Sequence, residues 1–115
     1  MLKKRETLQH RTTPAFKGGE GVLHSTILAT PEEMMGKGRV FNRILLESGC
    51  SIGTHTHVGD AEFFYILSGH GVASDDGIEI AVEAGDVLVT ADGHAHGLRN
   101  DGQDPLELLA LVLYS

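Results

Sequence analysis

Glycine occupies 15 of the 115 positions and cuts this chain into pieces too short for ordinary helices. Between Gly18-Gly19-Glu20-Gly21, Gly36-Lys37-Gly38, Gly49, Gly53, Gly59, Gly69-His70-Gly71, Gly77, Gly85, Gly93, Gly97 and Gly102 lie runs rich in β-branched, aromatic and leucine side chains. These runs predict strands over 22–28, 39–47, 62–68, 72–74, 78–82, 87–90, 96–100 and 106–114. Short strands separated by turn signals at this density predict an all-β sandwich or barrel. One helical turn is predicted near 30–35: Thr30 can cap it, Pro31 opens it, Glu33 completes a capping box and Gly36 ends it. Asp75-Asp76-Gly77 predicts a hairpin turn.

Period-two alternation assigns the faces. In 62–68, Glu62, Phe64, Ile66 and Ser68 face one way and Phe63, Tyr65 and Leu67 the other. In 106–114, Leu106, Leu108, Ala110 and Val112 oppose Leu109, Leu111 and Leu113. Strands apolar on both faces are covered on both faces. A small barrel covers only the inner one, so the second cover is the N-terminal segment or another subunit; a homodimer is the expectation.

The length fits one domain with no room for a separate cofactor domain. Net charge is −7, unevenly spread: residues 1–17 hold Lys3, Lys4, Arg5, Arg11 and Lys17 against Glu6 alone, and the rest carries −11. This predicts a basic N-terminal lead-in over 1–17 and a single domain over 18–115. An acidic folded part lacks the basic face that nucleic acid requires. The longest apolar run, Leu108 to Tyr114, is too short for a transmembrane helix. A lone Cys50 excludes an internal disulfide framework, and the charged N-terminus shows no apolar signal segment behind it, so the cytoplasm is the expected compartment. Cys50 reads as a structural thiol, since nothing nearby in sequence lowers its pKa. Gly18-Gly19-Glu20-Gly21 lacks the Lys and Ser/Thr of a phosphate loop.

Seven histidines are present, and four side chains form a pattern. His55 and His57 are two apart, so on a strand both rings project from one face. Glu62 opens the next strand on the face of Phe64 and Ile66. A carboxylate among apolar side chains is costly unless compensated, and a divalent cation compensates it. His96 opens a later strand and supplies a fourth ligand. Three imidazoles and one carboxylate suit one divalent transition metal, with Mn, Fe, Ni, Zn and Cu all acceptable. In an octahedral shell two positions stay open; a closed tetrahedral shell would be structural.

These residues resemble the cupin superfamily. Gly49, His55, His57, Glu62 and Gly69 fit its first motif, G-x5-H-x-H-x(3,4)-E-x6-G; Gly85, Gly93, His96 and Asn100 fit the second, G-x5-P-x-G-x2-H-x3-N, with Ala91 where the motif has proline. Only residues 70–84 separate the motifs, as in compact single-domain microbial cupins. The resemblance implies a small jelly-roll β-barrel of two antiparallel sheets, a metal held inside by His55, His57, Glu62 and His96, and usually a dimer.

Around the metal, alternation turns Asn42 inward with Val40, Ile44 and Leu46, either to orient a ligand or as a satisfied structural amide. Phe64, Ile66 and Leu98 are expected to shape the ligand pocket. His94 and Asn100 are candidates for groups that orient the ligating rings, His94 alternatively being a surface loop residue. Arg39, Arg43 and Arg99 are expected to point outward; an inward arginine would argue for an anionic substrate. The resemblance leaves the function class open. One reading is metal-dependent oxygenase, decarboxylase or isomerase-type chemistry on a small oxygen-rich compound, an organic acid or sugar derivative, related to oxalate decarboxylases, with no catalytic acid assigned. The other is a non-catalytic module that binds or senses a small ligand.

Overall fold

The computed structural model describes residues 1–115. Ten strands follow in order: β1 (His10–Pro14), β2 (Val22–Ala29), β3 (Gly38–Leu46), β4 (Ser51–Thr56), β5 (Asp60–Ser68), β6 (His70–Asp75), β7 (Ile78–Glu83), β8 (Val87–Thr90), β9 (Ala95–Arg99) and β10 (Leu106–Tyr114). All pairings are antiparallel, in a six-stranded sheet ordered β1-β2-β3-β10-β5-β8 and a four-stranded sheet ordered β4-β9-β6-β7. The only helical elements are 3-10 turns at Arg5–Thr7 and Phe16–Gly18.

β10 lies inside the larger sheet, and its alternation decides the layering. Leu106, Leu108, Ala110 and Val112 are buried between the sheets, while Leu113 and Tyr114 are exposed. Full burial of each such leucine or valine contributes about 1.5–3 kcal/mol. The same row continues through Ile44 and Leu46 of β3, Phe64 and Ile66 of β5, and Ile52, Ala73 and Leu98 of the smaller sheet. The face assignments for 62–68 and 106–114 therefore hold.

The hairpin turn is present as predicted. Asp75 pairs with Ile78, and the two residues between them, Asp76 and Gly77, have φ of +48° and +86°. Positive φ at both central positions is the type I′ geometry that suits the strand twist, and it explains the Asp-Gly sequence. At 30–35 the capping box forms: Thr30 N–H donates to Glu33 Oε1 at 2.9 Å and Glu33 N–H donates to Thr30 Oγ1 at 3.2 Å. The segment stays a turn because Met35 already has φ of +58°, ahead of Gly36 at +68°.

The N-terminal segment departs from the expected lead-in. Residues 10–14 are strand β1, in register from His10 against Thr26 to Pro14 against Val22. Thr12 and Thr13 suit a strand, and an edge position tolerates the polar side chains and the terminal proline. The turn after β1 then lies directly on β4: a Cβ on Gly53 would stand 2.0 Å from the Lys17 carbonyl oxygen, and one on Gly19 2.2 Å from that of Ser51. Only glycine permits these backbone approaches.

Candidate metal centre

The four predicted ligands meet between the two sheets. β4 and β9 pair His55 directly with His96, and His57 follows β4 at once. Both belong to the smaller sheet. Glu62 comes from β5 of the larger sheet, opposite Thr90 of β8. His57, Glu62 and His96 are buried and His55 is half-buried, and the four ligand atoms lie within 4.8 Å of one another.

His57 Nε2 stands 3.0 Å from Glu62 Oε1 and 3.1 Å from His96 Nε2. His96 Nε2 is 2.9 Å from Glu62 Oε1 and 3.3 Å from His55 Nε2. The far nitrogen of each ring has its own partner. His55 Nδ1–H donates to the Gly53 carbonyl at 2.7 Å, His57 Nδ1–H to Asp60 Oδ1 at 2.7 Å, and His96 Nδ1–H to Thr90 Oγ1 at 2.7 Å. With the protons on Nδ1, as the Gly53 carbonyl and Asp60 carboxylate require of the first two rings and the Thr90 hydroxyl allows for the third, three Nε2 lone pairs and one carboxylate oxygen converge with no proton between them. A cation resolves that convergence. Those four separations suit a common ion: two ligands about 2.1 Å from it and at right angles to each other are about 3.0 Å apart.

Burial, foremost, holds the His55 imidazole below its ordinary pKa, and repulsion from His96 and His57 adds to this against the Gly53 carbonyl and Glu62. The ring is thus biased to the neutral, ligating form. Burial opposes ionisation of Asp60, but hydrogen bonds from Arg39 (Nε to Oδ2, 2.9 Å) and His57 together outweigh it, and the carboxyl sits below its usual range. Phe64 stacks on His96 with ring centroids 4.7 Å apart and planes 14° apart, and Phe16 meets His55 edge-on at 6.5 Å.

A cavity of about 230 Å³ opens beside the ligands. Its wall includes His55, His57, Glu62, Asn42 and Phe64, but neither Ile66 nor Leu98. Both point inward as alternation requires, yet they belong to the packed core cluster. Ile66 lies four residues beyond Glu62, about 13 Å along the strand. His94 is a surface side chain paired with Asp76, and only its backbone carbonyl touches the site, accepting the His57 N–H at 2.9 Å. Asn100 is buried but serves a turn: its Nδ2 donates to the Leu46 and Asp104 carbonyls, and its Oδ1 accepts from Gly102 N–H. The groups that orient the rings are instead the Gly53 carbonyl, Asp60 and Thr90. Asp60 sits between two predicted ligands in sequence, which is a usable signal; Thr90 comes into place only through strand pairing.

Arg39 departs from the outward direction that alternation assigns it. Val112 pairs with Val40 and Leu113 with Gly38, so Arg39 is the extra residue of a bulge. Bulges re-aim side chains, and Arg39 lines the cavity. Arg43 and Arg99 point outward as expected, paired with Glu107 and Glu79.

Sandwich and four-ligand centre together define a cupin, and the chain belongs to that family: the cupin domain model matches residues 42–112. An oxalate-binding protein of Thermotoga maritima is 40% identical over 98 residues, 85% of this chain and 81% of the relative. The crystal structure of a predicted oxalate decarboxylase from Thermotoga maritima superposes with a TM-score of 0.96 at 35% identity, covering 100% of both chains. A sugar phosphate isomerase of Silicibacter pomeroyi shares the fold, with a TM-score of 0.78 and 20% identity over 100% of this chain and 76% of that one. No helix is long and apolar enough to cross a membrane.

Proposed function

We propose that the protein holds one divalent transition metal on His55, His57, Glu62 and His96 and uses it to bind a small organic acid of the oxalate type. The observation that carries this is the convergence of three imidazole lone pairs and a carboxylate whose outer hydrogen bonds are already made. Bound there, the metal supplies a Lewis acid for carboxylate oxygens. The names of the two Thermotoga relatives support the choice of ligand. The cavity is smaller than the roughly 300–1,000 Å³ of drug-sized sites, which suits a ligand of a few carbons. Asn42 adds a half-buried amide to the wall, in place to orient that ligand.

Within this reading, binding without turnover is favoured over decarboxylation. The only carboxyl in the cavity wall is Glu62, which is committed to the metal, and Asp60 behind it is held by Arg39 and His57. No acid is left to protonate a carbon after loss of carbon dioxide. The test is to load the protein in turn with Mn, Fe, Ni, Zn and Cu, titrate oxalate by calorimetry, and assay formate and carbon dioxide. Saturable binding without product is expected; steady product formation with any metal would reverse the preference. Failure of all five metals to bind would remove the proposal.

We also propose that a second copy of the chain covers the outer face of the larger sheet. Tyr65, Leu67, Val87, Val89 and Leu113 are exposed there on adjacent strands, and contiguous apolar patches mark interaction surfaces. Sedimentation equilibrium should give twice the chain mass, and Val89→Lys should give the monomer.

A further inference from the structure

One wall of the cavity comes from the N-terminal arm. Arg11 and Thr13 of β1 and Phe16 and Lys17 of the following turn line it, with Ser25 and Asn42 beside them. Neither Arg11 nor Lys17 forms an ion pair, although the rest of the chain carries a large excess of acid. The third cation of the wall, Arg39, is engaged by Asp60. Arg11 thus lines, with no ion-pair partner, a cavity whose single carboxylate is the proposed metal ligand, and the Lys17 ammonium, also without an ion pair, lies 5.6 Å from the Phe16 ring centroid.

The arm is fixed in this position. Ala15 and Lys17 have φ of +49° and +53°, a left-handed backbone that non-glycine residues hold only where the surroundings impose it. The imposing contacts are the glycine-only approaches to β4 at Gly19 and Gly53. The arm is therefore seated backbone to backbone on the strand that carries His55.

We infer that Arg11, seconded by Lys17, is the specificity-determining clamp of the site: it receives the carboxylate oxygens of a small dicarboxylate that point away from the metal. A guanidinium fork matches a carboxylate in a way that an ammonium does not. The inference rests on the metal-dependent acid site proposed above and adds to it the selection of dianions over monoanions.

The test uses the full chain loaded with Mn, titrated calorimetrically with oxalate and with acetate, in wild type, Arg11→Gln, Arg11→Lys and Arg43→Gln. Arg43 is a control for net charge, since it lies on the outer side of β3, paired with Glu107. Loss of a charge-assisted hydrogen bond typically weakens binding about 10–100-fold. Arg11→Gln should weaken oxalate by that factor and acetate by less than about threefold, Arg11→Lys should fall between, and Arg43→Gln should match wild type. Mn affinity should be unchanged throughout. Equal losses for oxalate and acetate, or no loss in either Arg11 variant, would overturn the clamp and leave the metal site standing. If Arg11→Gln does not fold, Arg11→Lys decides: wild-type oxalate affinity in it overturns the fork. Failure of wild type to bind Mn or oxalate would overturn the underlying reading and the clamp together.

Discussion

Thr90→Val tests how the centre is held. Thr90 and His96 are 1% and 0% exposed, and their contact at 2.7 Å is the sole partner of His96 Nδ1. Valine has nearly the same shape but cannot accept the proton. Two effects add. An unsatisfied buried donor costs about 1–3 kcal/mol. A methyl carbon also needs about 3.5 Å from its neighbour, so the ring must retreat by about 0.8 Å. His96 Nε2 already stands 2.9 Å from Glu62 and 3.1 Å from His57, so that retreat disturbs three ligands at once. The metal-free variant should melt about 4–12 °C lower, taking about 4 °C per kcal/mol for a domain of this size. Removing a group that orients a ligand weakens metal typically by about 10–100-fold. Thermal unfolding and calorimetric Zn titration measure the two quantities. Thr90→Ser keeps the hydroxyl and should restore both; Thr90→Ala opens space without pushing the ring and isolates the hydrogen bond. Wild-type metal affinity in Thr90→Val would refute the claim that this hydroxyl sets the ring.

Other consequences can be measured directly. His55 has a folded pKa below its unfolded value of 6.5, so below about that pH the unfolded chain binds more protons and stability rises with pH. The melting temperature of the metal-free protein should fall as pH drops below about 6.5 and through the depressed value, and His55→Gln should flatten that slope. Metal affinity should fall over the same acid range, because the imidazoles must ligate unprotonated; equal calorimetric affinity at pH 5 and pH 8 would count against the four-ligand centre. Gly53→Ala should destabilise the fold by about 1–3 kcal/mol in a denaturant titration, since its new methyl meets the Lys17 carbonyl at 2.0 Å. The hydrogen bond and charge of Asp76 raise the His94 pKa, so an NMR titration should place its midpoint above the ordinary value and Asp76→Asn should lower it.

The ligands were legible because local rules place them. His55 and His57 share a face by period two, and Glu62 and His96 fall at family spacings. The inward rows of β5 and β10 followed from the same alternation. Three features were not legible, each for a long-range or irregular reason. Thr90 reaches His96 only because β8 pairs with β5 beside Glu62. Arg39 turns into the cavity because a bulge interrupts the alternation that assigned it outward. β1 has no apolar periodicity, because an edge strand beside a cavity has little to bury; Arg11 and, in the turn that follows, Lys17 read as part of a solvated lead-in, although both line the site. Ile66 and Leu98 show the opposite limit: alternation gives direction, but not depth along the barrel.

The sharing of the ligands between the two layers has a mechanical consequence. His55 and His96 stand on the smaller sheet, His57 directly follows its strand β4, and Glu62 alone stands on the larger. An ion seated among them would rivet the two layers together beside the cavity. Glu62 is then the one ligand on its side of the seam, and the ion would add to the two hydrogen bonds that already cross it there, from His57 to Asp60 and from His96 to Thr90.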